Sequence, residues 1–110
     1  MGTLSSDELI LVITTEVNYE SAKDLAKGLL HEKYAACVSF QEINSMYWWE
    51  SILEENREVQ LLIKSTKRNL GKLLTYINEN HSYKVPEVIF WEVLSSQSYR
   101  GWIEESLGAN

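Results

Sequence analysis

An α+β domain, with a four-stranded antiparallel sheet and helices on one face, is predicted by three features of this sequence. Short apolar runs suited to strands alternate with two stretches of helical periodicity, in the order β-α-β-β-α-β. The chain has 110 residues, 45% of them hydrophobic, which is enough for one domain with its own core. Its one proline, Pro86, falls between two periodic segments, and no repeat or Gly/Ser linker divides the chain. A single domain is therefore expected over 8–110, behind a flexible tail at 1–7.

The first strand, Glu8 to Thr15, carries Leu9-Ile10-Leu11-Val12-Ile13, an unbroken apolar run that puts apolar side chains on both faces and so predicts a central position. Asn18 can cap the helix that follows. Ala22, Leu25, Ala26, Leu29 and Leu30 lie at i, i+3, i+4, i+7 and i+8, one apolar stripe. Ala35 to Trp49 reads as a long strand, with a bulge or bend expected near Gln41 to Asn44. The polar run Glu54-Glu55-Asn56-Arg57 is the expected turn, and Glu58 to Ser65 alternates as the returning strand of a hairpin. Thr66 can cap a second helix, striped by Leu70, Leu73, Leu74 and Ile77, with Gly71 weakening it by about 1 kcal/mol. His81 to Pro86 ends that helix, Glu87 to Leu94 forms the last strand, and a short helical turn over Ser98 to Glu105 closes the chain. This order is a ferredoxin-like plait.

Two helices cover one face of such a sheet, yet strands 1, 2 and 4 offer apolar or aromatic residues on both, Tyr47 and Trp49 pointing one way and Trp48 the other. An uncovered apolar face of that size marks a partner surface, so a homo-oligomer of closed symmetry is expected. The formal net charge of −6 disfavours nucleic acid as a partner, because phosphate-backbone affinity comes from clustered Lys and Arg. The longest apolar runs fall far short of the ~18 residues of a membrane span, and Met1 to Glu8 lacks the basic start and apolar core of a secretory signal. Cys37, the single cysteine, excludes an intrachain disulfide and a Cys-x-x-Cys site, and a cytoplasmic, reducing location is expected.

Ala35-Ala36-Cys37-Val38, Ser45-Met46-Tyr47-Trp48-Trp49-Glu50, Glu58-Val59-Gln60-Leu61-Leu62-Ile63-Lys64-Ser65 and His81-Ser82-Tyr83-Lys84-Val85-Pro86-Glu87, in that order and spacing, resemble the CutA divalent-cation-tolerance family. Val12-Ile13-Thr14-Thr15 and Tyr99-Arg100-Gly101-Trp102-Ile103 resemble the family's ends, so the likeness spans residues 8–105. The resemblance implies a trimer, a likeness to PII signalling proteins, and a non-enzymatic role in tolerance of divalent cations, copper foremost. Ser51 stands where the family usually has Gly, and Ser39 where it often has Asn. Family members proposed to bind copper use a Cys near the end of the first strand and two adjacent His. The matching positions here are Thr14, Asn80 and His81, which leaves His81 as the one candidate ligand for Cu²⁺ or another divalent cation and removes the soft thiolate.

A ligand-binding cleft is expected from Lys64, Tyr83 and Glu87, with Trp49 as an apolar wall, and the ends of strand 1 at Thr14 and Glu16 are expected near the 81–87 segment. Lys64 interrupts an apolar strand, so its ammonium must reach solvent, a carboxylate or a bound anion. Cys37 is expected to be a small buried hydrophobe. Glu54, Glu55, Glu58 and Glu104-Glu105 are expected on solvated faces. The main alternative to a metal role is a PII-like regulator that takes a small anionic ligand or a protein partner in clefts between subunits. An enzyme of the acylphosphatase kind is disfavoured, since no Arg-bearing, Gly-rich anion loop follows the first strand.

Overall fold

A computed structural model describes residues 8–108, so the tail expected at 1–7 and the last two residues of the domain placed at 8–110 lie outside the described residues. The elements run β1 (Leu9–Glu16), α1 (Tyr19–His31), β2 (Cys37–Trp49), β3 (Ile52–Thr66), a 3₁₀ turn (Lys67–Asn69), α2 (Leu70–Asn80), β4 (Ile89–Val93) and α3 (Gln97–Ser106). The four strands form one antiparallel sheet in the order β2-β3-β1-β4, the expected α+β plait.

Asn18 caps α1 as expected, its Oδ1 accepting the Ser21 N–H at 2.7 Å. The helix ends at His31, and just past its cap Lys33 takes a φ of 64° that lets the Lys33 and Tyr34 N–H groups donate back to the Leu30 and Leu29 carbonyls at 3.1 and 2.9 Å, satisfying two of the helix's terminal carbonyls. Ala22, Leu25, Ala26 and Leu29 of α1 and Leu73 and Ile77 of α2 meet Ile10, Val12, Val59, Leu61 and Ile63 in one core. Each leucine- or isoleucine-sized side chain in it is worth about 1.5–3 kcal/mol of transfer free energy. Gly28 lies where α1 approaches α2 so closely that a Cβ would collide with the Tyr76 hydroxyl.

Several expectations are corrected. The hairpin turns at Glu50–Ser51, both with positive φ (51° and 69°), between the paired Trp49 and Ile52. This two-residue loop has the handedness that matches strand twist. Glu54-Glu55-Asn56-Arg57, expected as the turn, lies within β3, where the strand projects past the sheet and a charged residue is compatible with a ladder position. No bulge interrupts Gln41 to Asn44, which pair one-for-one with Gln60 to Arg57. The chain's end is a ten-residue helix rather than a short turn, and α3 does not join the other two helices: Ile103 and Leu107 pack on Leu9, with Ala36 and Val93 beside them, on the opposite face of the sheet. Thr66 gives no side-chain cap to a backbone N–H; its Oγ1 accepts the Asn69 side-chain amide at 2.8 Å, and the 3₁₀ turn precedes α2. Cys37 is half-buried rather than fully enclosed. The last strand is also shorter than Glu87 to Leu94, so Glu87 belongs to the preceding loop.

Strand lengths differ in a way that shapes the molecule. β1 stops pairing at Glu16 opposite Val59, but β2 and β3 pair on as far as Trp49 and Ile52. Residues 44–57 are therefore a two-stranded arm, and the molecule measures 52 × 25 × 21 Å. Met46, Trp48, Trp49, Ile52 and Leu53 on the arm and Ile89, Phe90 and Trp91 on β4 are exposed.

Candidate functional site

The 81–88 segment leaves α2 on the helix-covered face and crosses the end of β1 to reach the other face. Thr14 alternates with Val12 and Ile10, so it sits on the helix face, completely buried. There its Oγ1 lies 3.1 Å from His81 Nε2. The other ring nitrogen of His81, Nδ1, accepts the Tyr83 N–H at 3.0 Å, which fixes the neutral ring with its proton on Nε2, donating to Thr14. Glu16, 1% exposed, accepts the N–H of Val17 on Oε1 and of Ser82 on Oε2, each at 3.0 Å. The ends of β1 thus meet the 81–87 segment as the sequence suggests, and they hold it by its backbone.

At the positions matched to copper ligands the structure places groups that are already hydrogen-bonded. His81 is fully enclosed with both nitrogens engaged, Thr14 supplies a hydroxyl, and the Asn80 amide donates to the Tyr76 carbonyl at 2.9 Å. Among the described residues no three His, Cys, Asp or Glu side chains cluster in a way that could hold a metal ion. A cation at His81 would have to break one of the two bonds that orient the ring.

Beyond the crossing, Tyr83 reaches the opposite face and its hydroxyl donates to Glu58 Oε1 at 2.9 Å. Glu58 alternates with the core residue Val59, and although charged it is only 6% exposed, which corrects its placement on a solvated face. Burial first, and then the Glu58 carboxylate, push the Tyr83 hydroxyl well above its ordinary pKa and keep it a donor. Around this pair opens a cleft of about 760 Å³. Tyr47, Trp49 and Met46 form its aromatic and apolar wall on the arm, and Glu54 and Asn56 face them from β3. Lys84, Val85 and Glu87 close it from the loop, where Lys84 is the one cation of the lining among the described residues. The Asn56 amide donates to the Tyr47 hydroxyl at 2.6 Å.

Of the residues expected to share a site, Trp49, Tyr83 and Glu87 do line one cleft. Lys64 does not. It shares a sheet face with Glu58, but six residues along β3 is about 20 Å, and its ammonium lies 5.6 Å from the centre of the Tyr99 ring on α3. Sequence reasoning missed Glu58, Glu54 and Tyr47 as cleft residues. Their signal was the strict alternation of β3 once the turn is put at Glu50–Ser51, which sends Glu54, Asn56 and Glu58 to one face.

The profile of the family described as CutA1 divalent ion tolerance protein matches residues 10–106. A divalent-cation tolerance protein CutA of Yersinia pestis is 40% identical over 108 residues, covering 96% of this chain and 91% of that protein. Among solved structures, CutA1 from Ehrlichia chaffeensis matches with a TM-score of 0.89 at 26% identity, covering 94% of this chain and 98% of the other. CutA1 from Oryza sativa matches with a TM-score of 0.87 at 36% identity and 96% coverage of each chain.

Proposed function

The chain belongs to the CutA1 divalent ion tolerance family, and from that premise we propose that it acts as a non-enzymatic homotrimer in the tolerance of, and response to, divalent metal ions in the cytoplasm. The observation that carries the assembly is the arm. A lone two-stranded ribbon is marginally stable in water, yet this one exposes Trp48 at 72%, Met46 at 63% and Ile52 at 61%, a surface that packing against further copies would bury. The half-buried Cys37, a lone thiol, supports a reducing compartment.

Metal contact on this reading is weak, because the His81 nitrogens are committed to Thr14 and to the Tyr83 N–H. The metal role then works through subunit assembly and its clefts rather than through a stored copper ion. A PII-like regulator of anionic ligands is the lesser reading, since Glu54, Glu58 and Glu87 outnumber Lys84 in the cleft lining.

Native mass spectrometry with and without Cu²⁺ tests both parts. The expected result is a species of three chain masses whose copper uptake is no tighter than that of surface histidines and is unchanged by His81→Ala. A monomer at micromolar concentration would overturn the assembly. Stoichiometric copper that His81→Ala removes would overturn the weak-binding account and restore His81 as a ligand.

A further inference from the structure

The 81–88 segment is tied at both ends: His81 follows directly on α2, and Ile89, just past the segment, pairs with Ile13 of β1. Pro86 stiffens it by fixing its own φ and holding Val85 extended. Its first three residues are clamped in series. His81 Nε2 bonds Thr14, the Ser82 N–H donates to Glu16 Oε2, and the Tyr83 N–H donates to His81 Nδ1. The side chains of Thr14, Glu16 and His81 are all enclosed, so the backbone at Tyr83 is held firmly to the end of β1. From there the Tyr83 hydroxyl reaches across to Glu58. Glu58 is the first β3 residue beyond Val59, where pairing with β1 stops, and so marks the root of the arm. Two-stranded ribbons carry the largest twists of any sheet, and the arm's own ladder does not fix its pitch against the sheet. From Glu58 to Ile52 is six residues, about 20 Å, so a tilt of about 10° at the root carries the tip through about 3.5 Å. Interfaces pack at their centre as densely as protein interiors, and a displacement of that size takes Trp48 and Ile52 out of contact with a second copy.

We propose that the 81–88 segment is a brace: through the Tyr83–Glu58 bond it sets the pitch of the arm, and with it the arm's fitness to assemble, while Glu16 and His81 act as positioning residues from the helix-covered face. The inference rests on the assembly reading above and deepens it by naming what holds the assembling surface in place. Glu16, 1% exposed, is enclosed within its own chain, so any effect it has on assembly is transmitted through the brace and is not a contact with a second copy.

In dilution series by analytical ultracentrifugation, Tyr83→Phe and Glu16→Gln each weaken assembly by about tenfold, and the double variant by no more than either alone, because both cut the same chain of bonds. Ile77→Val, which thins the core under α2, lowers the unfolding midpoint without changing assembly. Arm pitch is read directly at a dilution where Trp48→Asp is a single chain. There the residual dipolar couplings of the arm amides and of β1, α1 and α2 fit one orientation, and on adding Tyr83→Phe the arm alone departs from it. Additive losses, unchanged assembly in Glu16→Gln, or an arm that keeps its orientation without the hydroxyl would each overturn the brace. The couplings of Tyr83→Phe decide the matter should Glu16→Gln fail to fold. A monomeric unmodified protein would overturn the assembly reading instead, and the couplings would still decide for or against the brace.

Discussion

One hairpin runs through two environments. In its inner half, Val38 and Phe40 of β2 pair with Ile63 and Leu61 of β3, and Leu61 and Ile63 are completely buried under α1 and α2. In its outer half, Trp48 pairs with Leu53 and Trp49 with Ile52, in the same ladder and the same register, and all four are exposed. Both halves are rich in large apolar residues, so composition does not separate them. What separates them is that β1 ends at Glu16 opposite Val59, after which, among the described residues, the ribbon has no third strand and no helix above it. The inner half is buried in the core and the outer half stands exposed in the single chain.

Variants that break this contrast are ordered by expected effect. Leu61→Ala removes a fully enclosed side chain and lowers unfolding stability by about 2–5 kcal/mol, measured by chemical denaturation. Leu53→Ala on the arm, at 54% exposure, leaves the fold of a single chain within about 0.5 kcal/mol; equal losses for the two would abolish the distinction. Trp48→Asp weakens assembly by about thirtyfold or more, as expected for a buried aromatic anchor at an interface. Dilution series in analytical ultracentrifugation would read this, with unchanged circular dichroism showing that the core stays intact.

Tyr83→Phe sharpens the contrast at the boundary between the two halves, where Glu58 sits. Losing the hydroxyl donated to that buried carboxylate costs about 1–3 kcal/mol in denaturation. The hydroxyl's pKa is raised in the folded chain, by burial and by Glu58, so the folded state holds this proton more tightly than the unfolded one. Its stabilising contribution is complete below about pH 10 and falls away as pH rises toward the folded value. The Phe variant lacks that alkaline decline, and identical pH profiles for the two proteins would refute the assignment. Smallest is Ser51→Gly at the arm's tip. Ser51 holds φ of 69°, which glycine adopts without strain, so the substitution stabilises the hairpin by about 1 kcal/mol.

Much of this was legible without coordinates. The apolar run of Leu9 to Ile13, the stripes of α1 and α2 and the Asn18 cap are local patterns whose periods match their elements, and all reappear. So does the opposition of Tyr47 and Trp49 to Trp48, because side-chain alternation is a property of the strand itself. Of the cleft, Trp49, Tyr83 and Glu87 could be named from type and resemblance.

The rest depended on pairings between residues far apart in the chain. Glu54 to Arg57 looks like a turn by composition, and only the β2–β3 ladder makes it strand and moves the reversal to Glu50–Ser51. Lys64 and Glu58 belong to one alternating segment, yet the end of β1 and the crossing of the 81–87 loop decide that Glu58 faces the cleft while Lys64 meets Tyr99. His81 is a possible ligand by chemistry and a committed hydrogen-bonding residue by its position against Thr14 and Glu16. Local sequence set the period of each element and with it which side chains share a face. What those faces meet was set by register and strand length, because long-range hydrogen bonds and burial are satisfied only when the whole sheet is assembled.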